Sequence, residues 1–426
     1  MKKKCGSSCF NNSSCCACFK RMYNILMFIY SLFLWIFCIG YIPYLLFYSC
    51  KKNAHKIVMS KFGFLPYPKP KENTQLIWIH AASVGETKIA LSFICHLHKA
   101  QPKYSFLLTS TSHNVISFLA SQQDAISSWG VELIHQFLPI DLPFFIHRFL
   151  GHYRPILGLF VESELWLNTI KISASYTKLA LISARMSDKS YKFWQKFRPL
   201  ITPTLQSFNT IITQSPRDEE KFATLGAKSK EMGNLKFCNL SQADEAIVPL
   251  TEDNKILFAS THAQDVEFLR PVVQYFKNTK HSKNDNQLYF IDAPRYLEQI
   301  NNHLHWCDKV IDEFGKMDYW YSVSKIIFIG GSCAFQGGHN PLEAAIFGRI
   351  IICGPDMSNY AQICEQMLQN NAIIQAHTAQ DVINAIERCM MDEEMYEQYS
   401  TNARNFVLMH KKRVMDQYIN SVLAML

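Results

Sequence analysis

The first 71 residues contain neither aspartate nor glutamate, and Glu72 is the first carboxylate of the chain. No carboxylate general base is available from that stretch. Its basic character suits an anionic membrane surface, or simply the positive flank of an apolar segment, and the net charge of +8 owes much to it. Nucleic acid is not expected as a partner. Glycine-rich sequence occurs without a following G-K-[ST], which excludes a Walker phosphate loop, and without the spacing of the dinucleotide-binding fingerprint. The 14 cysteines are scattered, apart from Cys5, Cys9, Cys15, Cys16 and Cys18. No histidine stands near these at zinc-finger spacing, so no metal centre is assigned, and a cytosolic location would keep the thiols reduced. No internal repeat or low-complexity run is visible.

What is present begins with an uncharged run, "YNILMFIYSLFLWIFCIGYIPYLLFYSC", from Tyr23 to Cys50. About 25 helical residues reach roughly 37 Å, enough for a hydrocarbon layer of about 30 Å. No small-residue cleavage site follows, so the run reads as a membrane anchor rather than a signal peptide. A buried core helix is the alternative. Gly40 and Pro43 allow a bend or a partly interfacial placement. Lys51, Lys52, Lys56, Lys61, Lys69 and Lys71 after the run favour a cytoplasmic remainder, although Lys2, Lys3, Lys4, Lys20 and Arg21 precede it.

A chain of 426 residues is too long for one hydrophobic core. Short apolar strands alternate with helical stretches, which predicts an α/β protein with parallel sheets covered on both faces. "QLIWIHAA", "SFLLTSTS", "ILGLFVESELW", "TKLALISARMS" and "NTIITQS" form a first set of strands; "KILFAST", "QLYFIDAP", "KIIFIGGS" and "RIIICGP" form a second. The expected divisions are a basic cysteine-rich extension (1–22), an anchor (23–50), a Rossmann-like domain (51–238), a polar linker (239–255), a second Rossmann-like domain (256–405) and a C-terminal helix (406–426). In such folds ligands sit at the carboxyl ends of the strands.

Each candidate loop follows a strand. In "HAASVGET", His80 ends the strand, Ser83 caps a helix or donates to an anion, Gly85 permits close backbone approach, and Glu86 lies in the first helical turn. "VESELW" sets Glu162 and Glu164 two residues apart; on a continued strand they share a face and poise a proton, and otherwise they are a solvated strand end. His262 in "STH" and Arg295 in "APR" follow strands of the second set, with Arg295 a bidentate donor to phosphate or one half of a surface ion pair. "GGSCAFQGGHNPLEAA" is a glycine loop before a helix. Its exposed N–H groups, from Gly331 and Ser332 to Gly337, Gly338 and His339, are expected to surround an anion. Pro341 suits a first helical turn, and Glu343 is placed to accept the hydroxyls of a ribose. The residues alone thus indicate a site for a nucleotide phosphate and sugar.

In order, "IWIHAASVGET", "LPIDLP", "ESELW", "SARMSDKS", "GNLKF", "ASTH", "APR", "GGSCAFQGGHNPLEAA" and "GPDMSNY" resemble the 3-deoxy-D-manno-octulosonic acid (Kdo) transferases of lipopolysaccharide biosynthesis, over about Gln75 to Tyr360. The resemblance implies a GT-B glycosyltransferase fold, two Rossmann-like lobes with a central cleft. It implies inverting transfer of Kdo from CMP-Kdo to a lipid A precursor at the cytoplasmic face of the inner membrane, with neither cofactor nor metal at the transfer step. Carried over by position, CMP contacts fall on Pro294 and Arg295, on Phe314, Gly315 and Lys316, and on Asn340, Pro341, Leu342 and Glu343. Lys236 and His262 belong to further motifs of the cleft. The chain departs from the pattern where the family carries its general-base glutamate: "VMSKFGF" has Ser60. Serine has no proton affinity for this task at neutral pH without a base of its own. Glu86, Glu162 and Glu164 are the substitute candidates; a family member that binds nucleotide sugar with impaired turnover is the other reading. Tyr296, Gln299, Lys316 and Leu167 also replace the family's usual residues.

Overall fold

The computed structural model describes residues 21–39, 61–62, 74–235, 238, 254–278, 288–296, 306–313, 315–333 and 336–426. The chain divides into two compact units, Met1–Asn239 with Val414–Leu426, and Leu240–Arg413.

The first unit is built on a seven-stranded sheet in the order β3-β2-β1-β4-β5-β6-β7. Its strands are β1 (Gln75–His80), β2 (Tyr104–Ser110), β3 (Leu133–Phe137), β4 (Leu157–Val161), β5 (Lys178–Ala184), β6 (Thr210–Thr213) and β7 (Lys230–Glu231). Every pairing is parallel. Successive side chains of a strand enter opposite faces. Ile77 and Ile79 accordingly fill one core layer with the helix Val84–Ala100, while Leu76 and Trp78 fill the other with the helix Pro143–Tyr153. Burial on both faces is why the central strands read as unbroken apolar runs. The strand order reverses between β1 and β4, so their carboxyl ends, at His80 and Val161, flank the crevice where such sheets hold ligands.

The second unit repeats the plan with six strands in the order β10-β9-β8-β11-β12-β13. They are β8 (Lys255–Thr261), β9 (Tyr289–Pro294), β10 (Lys309–Val310), β11 (Ile326–Ile329), β12 (Ile350–Cys353) and β13 (Ile374–Gln375), again parallel throughout. Here the order reverses between β8 and β11.

The last helix starts at Glu393 and runs unbroken to Leu423, so no boundary falls at 406. Its end returns to the first unit: Val414, Met415 and Tyr418 are buried against Ile77 and Leu235, and the Tyr418 hydroxyl donates to the Gly233 carbonyl at 2.8 Å. Near the other terminus, the helix Arg21–Ile39 has a mean hydropathy of 2.0. Tyr23, Met27, Tyr30, Ser31, Leu34 and Cys38 are turned to the protein at helical spacing, and the opposite side is exposed.

Candidate active-site residues in each unit

At the end of β1 the backbone turns into the helix Val84–Ala100 with Ser83 as its N-cap. Glu86 accepts from the Ala82 N–H at 2.7 Å and from the Ser83 hydroxyl at 3.0 Å, while its own N–H reaches Ser83 Oγ at 3.3 Å. This arrangement satisfies helix-end donors that would otherwise be orphaned. Burial raises the Glu86 carboxyl above its ordinary range, and the negative charges of Glu164 and Glu162 push it the same way; the bonds from Ala82 and Ser83 oppose them. A fifth group completes the cluster. His80 is fully buried, its Nδ1 lies 3.0 Å from Thr109 Oγ1, and its Nε2 has no hydrogen-bond partner but stands 3.7 Å from Glu164 Oε2. Glu164 is oriented by the Trp166 indole N–H at 2.7 Å.

The shared strand face expected for Glu162 and Glu164 is not formed. β4 ends at Val161, and Glu162 takes a left-handed conformation with φ 60° while its N–H still bonds the Ile182 carbonyl at 3.0 Å. A non-glycine residue there carries backbone strain on the order of 1–3 kcal/mol. The two glutamates reach Glu86 by this turn rather than by strand alternation. At Gly85 an added Cβ would meet only Ser83 Oγ, at 3.8 Å, so the fold itself does not demand glycine.

In the second unit the glycine loop is not an open nest of N–H groups. The Gly331 N–H donates to Asp265 Oδ2 at 2.7 Å, the Cys333 N–H to Asp265 Oδ1 at 3.0 Å, and the Gly337 N–H to Asp356 Oδ2 at 2.9 Å. Gly338 and His339 donate to the carbonyls of Gly331 and Gly330. Ser332 donates to the Ile329 carbonyl and accepts from the Gly354 N–H at 2.8 Å. The loop thus uses these donors internally. Its glycines serve packing: a Cβ on Gly330 would strike the Ser260 carbonyl, and one on Gly338, at φ 71°, would strike Met357 Sδ. Sequence reasoning missed Asp265, which is wholly buried and also takes the His262 N–H at 2.8 Å. The available signal, an aspartate four residues past a strand end, is that of a helix cap alone.

Side chains, rather than backbone, give this second cluster its chemistry. The imidazoles of His262 and His339 stack at 5.3 Å with their Nε2 atoms 3.1 Å apart. Burial lowers the His339 imidazole to about 4, and the nearby positive Arg295 adds to this. Arg295 and Glu343 also both act electrostatically on the buried Tyr321 hydroxyl, which burial raises most. Asn340 donates from Nδ2 to Glu343 Oε1 at 3.2 Å and accepts from the Leu342 N–H at 3.1 Å. The following helix is a single turn, Leu342–Ala345, with Pro341 just ahead of it and Leu342 in the core. Pro294 closes β9 beside Arg295. Lys316 pairs with Glu313 next to Gly315 at the surface. Ser60, Lys236 and Phe314 lie outside the described residues. No group of three or more metal-ligating side chains occurs among the described residues.

Two parallel sheets, each with its polar cluster at a reversal of strand order, define a GT-B-like fold. Solved structures with that fold are similar to it: a glycosyltransferase from Rickettsia africae at TM-score 0.53 and 11% identity, covering 82% of this chain and 97% of that one, and a UDP-N-acetylglucosamine 2-epimerase at TM-score 0.51 and 12% identity, covering 82% and 96%. The family described as 3-deoxy-D-manno-octulosonic-acid transferase (kdotransferase) matches residues 57–239. The chain is 37% identical to the 3-deoxy-D-manno-octulosonic acid transferase of Rickettsia prowazekii over 87% of its length and 85% of the relative's. It is 27% identical to that of Haemophilus influenzae over 84% and 88%. The chain belongs to the Kdo transferase family of lipopolysaccharide biosynthesis.

Proposed function

We propose that this glycosyltransferase moves Kdo from CMP-Kdo to a lipid A precursor at the cytoplasmic face of an inner membrane, and that Glu86 replaces the glutamate missing at position 60. The observation that carries the proposal is the position and environment of Glu86: a half-buried carboxylate at the strand-order reversal, with its proton affinity raised by partial burial and by two neighbouring carboxylates. In the reaction the acceptor hydroxyl gives its proton to Glu86. Its oxygen bonds to the anomeric carbon, and the bond from that carbon to the phosphate oxygen breaks, so that CMP leaves with the electron pair. A base whose proton affinity lies above that of a free carboxylate is better matched to a hydroxyl at neutral pH. In the second unit, Arg295 holds the phosphate, and Asn340 and Glu343 hold the remainder of the nucleotide, supported by the loop that Asp265 and Asp356 fix. His262 and His339 are neighbours of the same phosphate position.

Purified protein with CMP-Kdo and the lipid acceptor is expected to release CMP, with inhibition by CMP and not by UDP or GDP. Inhibition by UDP or GDP instead would assign a different nucleotide sugar. The second reading, a binding protein with impaired turnover, is favoured by Ser60 at the family's base position. It requires CMP binding by calorimetry that Glu343→Ala abolishes, no CMP release by the wild type, and release restored by Ser60→Glu.

A further inference from the structure

The uncharged run from Tyr23 to Cys50 reads as a membrane anchor; positions 40–50 lie outside the described residues, and the described part, the helix Arg21–Ile39, is fastened to the first unit along its length. Buried Tyr23 and Cys38 mark the two ends of the contact. Their separation of 15 residues corresponds to about 22 Å of helix. Between them Tyr30 donates its hydroxyl to Asp141 Oδ2 at 2.8 Å, and Ser31 meets the Asn168 side chain at 3.1 Å. Asp141, from "LPIDLP", is itself buried and also accepts from the Thr169 N–H at 2.7 Å, the Thr169 hydroxyl at 2.6 Å and the Asn168 N–H at 3.2 Å. At the Cys38 end, Leu34 and Cys38 pack with Phe62, Leu142 and Phe145. A carboxylate with four donors is a latch for this helix, a role the motif's sequence does not disclose.

A helix crossing a bilayer places its whole circumference at hydrocarbon depth, together with whatever is packed along it. Here that would include Asp141, the exposed His147 and Arg148 of the helix Pro143–Tyr153, and Lys171, whose ammonium lies 4.6 Å over the Tyr23 ring. Ionised groups at that depth are strongly disfavoured. The outward side is different in kind: Ile25, Phe28, Ile29, Leu32, Phe33 and Ile36 are all exposed, with no charged residue among positions 22–39. Phe144, also exposed, extends it onto the neighbouring helix. Lysines and arginine flank the run, and no carboxylate precedes Glu72, so the surroundings are complementary to anionic headgroups.

We infer that this helix lies in the plane of one membrane leaflet, its outward apolar side among the lipid chains and its inward side latched by Asp141, so that the chain on both sides of it stays on a single face. An in-plane helix sinks about 5–10 Å and leaves the charged neighbours at headgroup level. The inference stands on the latch and the exposed side, and is independent of which sugar is transferred.

Sidedness tests it. The full chain is expressed in a Gram-negative host, and a membrane-impermeant maleimide is applied to sealed inverted inner-membrane vesicles and to intact spheroplasts, with labelled cysteines located by peptide mapping. Cys5 to Cys18 are expected to be labelled in the inverted vesicles, where the two units are also digested by added protease, and not in spheroplasts. Labelling of those cysteines only in spheroplasts would establish a crossing helix and overturn the inference. As a second arm, Phe28→Glu with Phe33→Glu is expected to lower flotation with phosphatidylglycerol vesicles at least about tenfold while thermal unfolding is unchanged. Unchanged flotation, or a dimer in lipid-free buffer that the same substitutions dissociate, would assign the outward side to something other than lipid.

Discussion

The two strand-order reversals are alike in topology and differ in how their carboxylates are satisfied. At β1 and β4 three glutamates stand with a buried histidine, and Glu86 and Glu164 accept from the Ala82 N–H, the Ser83 hydroxyl and the Trp166 indole. At β8 and β11 the carboxylates of Asp265, buried, and Asp356, half-buried, accept from loop N–H groups, and Arg295 and the paired imidazoles of His262 and His339 stand beside them. On the proposed function, one reversal receives a proton and the other holds an anion. That division suits a reaction in which a hydroxyl loses a proton and a phosphate departs with negative charge.

The comparison is broken most severely by Asp265→Asn. An amide in place of the carboxylate sets an NH2 group among three N–H donors, and about 3 kcal/mol of stability is expected to go with the lost charge-assisted bonds. Denaturant unfolding would show this, and CMP affinity would fall with it. A smaller effect belongs to Arg295→Ala, which is expected to weaken CMP binding about tenfold by calorimetry. It also has a spectroscopic signature. Removing a cation favours the protonated imidazole, so the His339 midpoint must rise from about 4 in an NMR titration. The mildest change is Glu164→Gln. With Glu86 as the proposed base, transfer requires its ionised form and the raised carboxyl sets the acid limb of the rate profile; removing the Glu164 charge removes one cause of that rise. The limb must therefore move to lower pH, with little change on the plateau. The same sign holds for stability: ionised Glu86 is disfavoured in the fold, so its contribution is fully present below the ordinary glutamate range and is lost as pH climbs through the raised value.

Much of this was legible in the chain. Strands such as "QLIWIHAA" and "KILFAST" announce themselves because both faces are buried and the apolar run is unbroken. β3, a half-buried edge strand interrupted by His135 and Gln136, gives no such signal, and β7, β10 and β13 are two residues each, too short to show a period. The clustering of His80, Ser83, Glu86, Glu162 and Glu164 followed from loops at strand ends, although the turn at Glu162 did not. What the chain concealed were its carboxylates with long-range partners. Asp265 bonds 66 residues ahead, Asp356 bonds 19 residues back and Asp141 bonds 28 residues on, and none of these partners is visible in a local window. For the same reason the glycines of "GGSCAFQGGHN" read locally as an anion nest, whereas their small size admits neighbouring chain and their N–H groups already have acceptors.

The proposed division of labour between the two reversals rests above all on Glu86 as proton acceptor. Its direct test is the transfer rate of Glu86→Gln at saturating CMP-Kdo and lipid acceptor, alongside CMP affinity and thermal stability of the same protein. The amide retains an oxygen for the helix-end bonds, so the fold and CMP binding should persist while transfer falls about 10²–10⁴-fold. A variant that transfers Kdo at the wild-type rate would contradict the account.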